Sequence, residues 1–319
     1  MTAVRAVVLD DHQQAGRTSP HWTNLGPEVE VEFWSEHVED EDVLVDRLQG
    51  AAIVVAMRER TPFPARILER LPDLRLLVTT GPFNAAIDVA AADGLGIVVS
   101  GTGGFREPTA ELAWGLIHAC TRHIPAEDAA LRSGRWQTTV GGDLKGRRLG
   151  LLGLGHLGTA VAQVGRAFGM DVVAWSQNLT GEDAAAKGVV AVTREELFGT
   201  ADILSIHLVL SERTHHLVGA AELEAMKPTA ILVNTSRGGI VDEAALCEAL
   251  ASGQIAGAGL DVYEHEPLPA SSPLRTLPNT VLTPHLGYVT EGTYDLFYRE
   301  IVEDIAAYLA GEPIRVLAP

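Results

Sequence analysis

A glycine-rich turn lies near the middle of the chain, not at its start. Arg148-Leu149-Gly150-Leu151-Leu152-Gly153-Leu154-Gly155-His156-Leu157-Gly158 reads as a buried strand, a tight turn and the start of a helix. That spacing suits a pyrophosphate. Gly153 makes the turn, Gly155 lets backbone approach the phosphates, and Gly158 lets the helix pack on the strand. First-turn N–H groups of His156, Leu157 and Gly158, with the positive end of the helix dipole, complete an anion site. A long stretch of chain precedes this dinucleotide motif and needs its own account.

At 319 residues, two domains are the expectation. A content of 46% hydrophobic and 21% charged residues is that of a soluble globular enzyme. No apolar run approaches the roughly 20 residues of a spanning helix. The N-terminal segment reads as a strand followed by acids and lacks the regions of a signal peptide, so a cytoplasmic location is expected. Cys120 and Cys247 sit in helix-like apolar patterns without partner spacing, so neither a disulfide framework nor a metal site is expected. The formal charge of −18 argues against nucleic-acid and anionic-membrane partners. A local arginine cluster still admits a small anionic substrate.

Strand and helix signals alternate, which favours α/β layers with parallel sheets. Strands are predicted at Val4–Leu9, Val29–Phe33, Ala52–Ala56, Leu74–Thr79 and Ile97–Val99, with helices at Glu41–Leu48, Pro64–Arg70 and Ala85–Ala92. Gly101-Thr102-Gly103-Gly104 marks a hinge. A long helix is predicted from Thr109, with Glu111 nearby as a cap signal, to about His123. Ile124–Gly146 is read as irregular, either a surface loop or an arm packed on a second subunit. Six further strands are predicted at Leu149–Gly153, Val172–Trp175, Ile203–His207, Ala230–Asn234, Gly257–Val262 and Thr280–Thr283. A final helix from about Tyr294 to Leu309 returns to the first domain past a second hinge near Leu286–Glu291. The expected architecture is a Rossmann dinucleotide-binding domain, 103–289, inserted into a flavodoxin-like substrate domain, 1–102 and 290–319. Both have open parallel sheets.

Three segments end predicted strands, where open α/β sheets bind ligands. In Asn234-Thr235-Ser236-Arg237-Gly238-Gly239, Arg237 is placed to grip a carboxylate through two parallel hydrogen bonds, or else to pair with Asp242. Asp261-Val262-Tyr263-Glu264-His265-Glu266-Pro267 supplies acids, and Thr283-Pro284-His285-Leu286-Gly287 supplies a histidine. Together they could reduce a ketone. His285 would donate the proton, Glu266 would orient the ring and favour the imidazolium, and Arg237 would hold the substrate and polarise its carbonyl.

These segments, in this order and with the inserted glycine turn, resemble the D-isomer-specific 2-hydroxyacid dehydrogenases, the phosphoglycerate dehydrogenase-like superfamily, over essentially the whole chain. The resemblance implies hydride transfer between NAD(P)H and a 2-keto acid or D-2-hydroxy acid. Substrate and cofactor would share the cleft between the domains. It assigns catalysis to Arg237, Glu266 and His285. His207, Thr235, Ser236 and Asp261 fall where the family lines the nicotinamide, and Arg237, His285 and Gly287 are also expected to contact the cofactor. It also implies a homodimer through 109–146.

Two departures from the family pattern matter. Ser176, followed by Gln177 and Asn178, stands where NAD-preferring members carry an acid for the adenosine ribose. Repulsion of a 2′-phosphate is lost, yet no arginine follows in sequence, so NAD is expected and NADP stays open. The first-domain carboxylate loop is Gly81-Pro82-Phe83-Asn84. Pro82 has no N–H, which leaves those of Phe83 and Asn84, and Arg58, Arg60 and Arg106 offer further positive charge. Two other activities stay open on the same resemblance: a dinucleotide-sensing corepressor and a formate- or phosphite-type dehydrogenase.

Overall fold

The computed structural model describes residues 3–319. The chain divides into two compact units, Met1–Phe105 with Thr290–Pro319, and Arg106–Val289. The second unit is therefore an insertion in the first. No helix among the described residues is long and apolar enough to cross a membrane.

The first unit carries five parallel strands: β1 (Val4–Val8), β2 (Val29–Phe33), β3 (Ile53–Ala56), β4 (Leu76–Thr79) and β5 (Val98–Gly101), in the order β2-β1-β3-β4-β5. The central β3 and β4 are buried along their whole length. Their continuous apolar sequences, rather than alternating ones, follow from being covered on both faces. Asp40 caps the helix Glu41–Leu48, which buries Leu44, Val45 and Leu48. The helix Glu291–Leu309 belongs to this unit. Thr290 caps it, and it buries Phe297, Tyr298, Ile301 and Ile305. Such caps are worth about 1 kcal/mol each.

The helix expected at Ala85–Ala92 runs instead over Val89–Gly94, because Asp88 accepts the Ala91 N–H and so fixes the start. Ala86 upstream is committed to a loop, with its N–H on Asn84 Oδ1 and its carbonyl on the Phe63 N–H. Between β1 and β2, where no element was assigned, lie two short turns of helix at Ala15–Thr18 and Pro20–Asn24.

The second unit has seven parallel strands: β6 (Arg148–Leu152), β7 (Asp171–Trp175), β8 (Val190–Ala191), β9 (Ile203–Ile206), β10 (Ile231–Asn234), β11 (Gly257–Leu260) and β12 (Thr280–Leu282). Their order is β12-β11-β10-β9-β6-β7-β8. The expectation was six. The seventh, β8, is two residues long, too short to give a periodic signal. One core lies on each face of this sheet, one around Phe198, Leu204 and Leu232, the other around Trp114, Leu151 and Val161.

The long helix spans Glu107–Thr121, not Thr109 to His123. Pro108 sits in its first turn, where a missing N–H costs nothing. Thr109 is not a cap: its hydroxyl donates to the Gly287 carbonyl at 3.0 Å. His123 adopts a left-handed φ of 50° and breaks the helix. The segment read as irregular then begins with a second helix, Ile124–Arg132, again opened by a proline. Only the part after it lacks regular structure.

Candidate functional site

The glycine turn follows β6. Gly153 has a φ of 104°, and a Cβ there would lie 2.6 Å from the His207 carbonyl oxygen. A Cβ on Gly158 would lie 2.2 Å from the Gly153 oxygen, so helix and turn touch backbone to backbone. At Gly155 a Cβ would meet nothing within 4 Å, which leaves open space beside the turn. The following helix, His156–Ala167, has no side-chain cap. Its first N–H groups, including those of His156 and Leu157, are thus left for an anion.

Two buried side-chain atoms at the same sheet edge lack partners. They are His207 Nδ1, past β9, and Thr235 Oγ1, past β10. His207 Nε2 is bonded to the Ser205 hydroxyl at 2.9 Å, and burial pushes its pKa down to about 4, so the ring is neutral. Buried polar atoms without partners are costly. A polar ligand such as a nicotinamide amide, able to reach them, would relieve that cost. The glycine cradle, the uncapped helix and these two atoms together fit a dinucleotide.

β10, β11 and β12 are neighbours, and their C-terminal ends carry Arg237, Glu266 and His285. Past β10, Asn234 accepts the Ser236 N–H at 3.0 Å and donates to the Arg237 carbonyl at 3.0 Å, closing the turn that presents Arg237. Arg237 also donates to the Ser236 carbonyl at 2.8 Å. The Ser236 hydroxyl bonds the Leu208 carbonyl. Asp242, the alternative partner for Arg237, accepts the Ala245 N–H as a helix cap.

His285 Nδ1 lies 2.5 Å from Glu266 Oε2, and Glu266 Oε1 accepts the Tyr263 N–H at 2.9 Å. With Nδ1 committed, Nε2 is the ring atom left for a substrate. His285 itself has a φ of 55°. Its loop hangs on Asp261, which is fully buried. Asp261 Oδ1 accepts the Thr283 hydroxyl at 2.6 Å and the Leu286 N–H at 2.7 Å, and Oδ2 accepts the Gly287 N–H at 2.9 Å. Desolvation raises the Asp261 pKa against these bonds. Asp261 and Gly287, both expected at the cofactor, also brace the histidine loop.

Ser176 follows β7. The sequence places no arginine after it, but strand pairing does bring one to this edge. β8 lies beside β7, and Arg194, three residues past β8, has its guanidinium 6.0 Å from the Trp175 ring centre. Arg194 also donates to the Leu217 carbonyl at 3.0 Å and pairs with Glu222 at 2.8 Å. The Lys187 ammonium donates to the Leu154 carbonyl, inside the glycine turn, at 2.7 Å. Sequence distance hid both.

In the first unit, Arg58 and Gly81 meet past β3 and β4. Arg58 has a φ of 51° and donates to the Thr80 carbonyl at 3.3 Å. A Cβ on Gly81 would lie 1.7 Å from the Arg58 guanidinium, and Gly81 donates its N–H to the Thr102 hydroxyl. Phe83 is exposed, with Arg58 6.0 Å from its ring centre. The buried Asn84 amide is used up, donating to the Arg58 carbonyl and to Thr79 Oγ1. Arg60 braces the unit, donating to the Asp10 carbonyl at 2.8 Å. Arg106 lies in the second unit.

The sequence model described as D-isomer specific 2-hydroxyacid dehydrogenase, NAD binding domain, matches residues 114–287. A glyoxylate reductase of Korarchaeum cryptofilum is 36% identical over 291 residues, covering 89% of this chain and 87% of that protein. A D-3-phosphoglycerate dehydrogenase of Archaeoglobus fulgidus is 36% identical over 293 residues, covering 91% of this chain and 55% of the relative. Among solved structures, a phosphoglycerate oxidoreductase from Vibrio cholerae superposes with a TM-score of 0.92 at 36% identity, covering 97% of this chain and 99% of that one.

Proposed function

The chain belongs to the D-isomer-specific 2-hydroxyacid dehydrogenases, and from that membership we propose that it interconverts a 2-keto acid and a D-2-hydroxy acid, with His285 as the acid–base group. The observation that carries this reading is the Glu266–His285 contact of 2.5 Å, presented beside Arg237 by three adjacent strands. The dinucleotide, when bound, supplies or accepts the hydride. His285 Nε2 gives a proton to the carbonyl oxygen in reduction and takes it from the hydroxyl in oxidation. Glu266 holds the ring with Nε2 outward, and Arg237 grips the substrate carboxylate and stabilises charge growing on the carbonyl oxygen. Arg58, Gly81, Phe83 and Asn84 are assigned to substrate on the family's pattern, the N–H groups of Phe83 and Asn84 serving as donors.

The test is a panel of 2-keto acids, beginning with glyoxylate, the substrate in the name of the reductase relatives, and extending to hydroxypyruvate and to aromatic and branched ones. Each is run with NADH and NADPH. Dinucleotide binding with no turnover of any keto acid would sink the reading.

NAD is the cofactor of the family. Use of NADP as well is favoured by Ser176, which repels no phosphate, and by Arg194 beside Trp175. Ser176→Asp is expected to raise the NAD/NADP preference about tenfold and Arg194→Gln to raise it less, read as a ratio of kcat/KM values. Unchanged ratios in both would place ribose recognition elsewhere.

The family's dimer, through 109–146, is proposed on the exposure of large apolar side chains there, with Trp136 76% and Val140 94% accessible. Light scattering on the purified protein decides it.

A further inference from the structure

We propose that Tyr263 is the positioning residue that sets the Glu266–His285 pair, an inference that rests on the reading of His285 as the acid–base group. Tyr263 stands three residues past the end of β11 and is buried. Its main-chain N–H donates at 2.9 Å to Glu266 Oε1, the carboxylate oxygen that His285 does not use. Its hydroxyl donates at 2.9 Å to the Thr283 carbonyl, with the Leu260 carbonyl at 3.2 Å as a second acceptor. The main-chain N–H of His285 donates chiefly to the Asp261 carbonyl at 2.8 Å and, as a longer second contact, to the same Thr283 oxygen at 3.1 Å. A carbonyl has two lone pairs, so both donors are accommodated. One residue therefore grips the carboxylate through its backbone and, through its hydroxyl, anchors the Thr283 carbonyl at the root of the histidine loop.

The histidine needs that grip. Its φ of 55° is a conformation that a residue with a side chain holds only where the surroundings enforce it. The Arg237 segment is registered on the same residue: a Cβ on Gly238 would lie 1.9 Å from the Tyr263 carbonyl carbon, so the glycine lies flat against the Tyr263 main chain. Tyr263 thus contacts all three segments that carry Arg237, Glu266 and His285. Packing alone does not call for the hydroxyl, since a phenyl ring would fill the same volume.

Tyr263→Phe in the full chain separates these roles. The expected result is a fall in kcat of about tenfold, with keto-acid KM and dinucleotide Kd within about twofold of the parent, as for a reacting group slightly misplaced. The low-field proton resonance of His285 Nδ1–H, assigned by its loss in His285→Asn, is expected to move upfield or broaden. Tyr298→Phe is the control. It removes another buried hydroxyl, one that bonds Asp11 in the first unit, and is expected to lower Tm without changing kcat or the resonance. A Tyr263→Phe enzyme with parental kcat and an unmoved resonance overturns the proposal, as does an equal kcat loss in Tyr298→Phe. If the parent reduces no 2-keto acid, the functional reading fails, while the resonance still decides whether Tyr263 sets the pair.

Discussion

The two units solve the same problem at their sheet edges in opposite ways. Both are open parallel sheets, and such sheets collect polar side chains where their strands end. In the first unit those side chains satisfy one another. Buried Asp10 accepts the Thr61 hydroxyl at 2.7 Å and faces His37 Nδ1 at 2.8 Å, and buried Asp11 accepts the N–H groups of Gly16 and Arg17. In the second unit the edge holds unmatched atoms, His207 Nδ1 and Thr235 Oγ1, beside an uncapped helix start. A closed network adds stability and little else; an edge with unpaired donors and acceptors stores affinity for something not yet there. The difference points to the second unit as the one built around its ligand.

The strongest challenge to that contrast is His285→Asn. It should cost about a thousandfold in kcat, the range of a lost acid–base group, while Tm and dinucleotide Kd stay near those of the parent. Turnover that survives would remove the chemistry from this edge. Next in size is Gly158→Ala. The added methyl would lie 2.2 Å from the Gly153 oxygen, a backbone atom that cannot step aside. Strain of about 2–3 kcal/mol should weaken the dinucleotide roughly a hundredfold, measured by fluorescence titration.

A matched pair of substitutions sharpens the comparison directly. Thr61→Val and Thr235→Val each replace a buried hydroxyl with a methyl of similar size. Thr61→Val strands a buried carboxylate oxygen and should cost about 2 kcal/mol, seen as a lower Tm with dinucleotide Kd unchanged. Thr235→Val removes an oxygen that has no partner to lose. It should leave Tm unchanged or raised and weaken dinucleotide binding about tenfold. The reverse pattern would mean that the unmatched oxygen is a packing accident.

Most of this architecture was legible because it rests on period and spacing. The Gly153–Gly158 turn, the buried apolar strands and the order of the Arg237, Glu266 and His285 segments are all written locally. What escaped depends on which strands become neighbours. Arg194 lies 18 residues beyond Ser176 and meets Trp175 only because β8 pairs with β7. The double role of Tyr263 needs β11 beside β12, so that its hydroxyl reaches Thr283, 20 residues on. Helix starts were misplaced for a similar reason. Thr109 looks like a cap by type, but its hydroxyl is engaged with Gly287, 178 residues away. No local pattern carries that information.

The smallest effect comes from the exception inside the closed unit. Asp304, on the last helix, is buried, with Arg315 Nε on Oδ1 at 2.9 Å and Oδ2 unpartnered, the only such side-chain atom among the described residues of that unit. Desolvation pushes its pKa up to about 7, outweighing the pull of Arg315. A carboxyl whose folded pKa is raised holds its proton after the unfolded chain has lost it. Its contribution to stability is therefore complete below the unfolded value near 4 and declines as pH rises towards 7. Asp304→Asn keeps an acceptor for Arg315 and cannot ionise. The parent should lose about 5 °C of Tm relative to this variant between pH 4.5 and pH 8, followed by thermal melts. A difference that stays flat across that range would show that the carboxylate is charged throughout and matched by Arg315, leaving the first unit closed without exception.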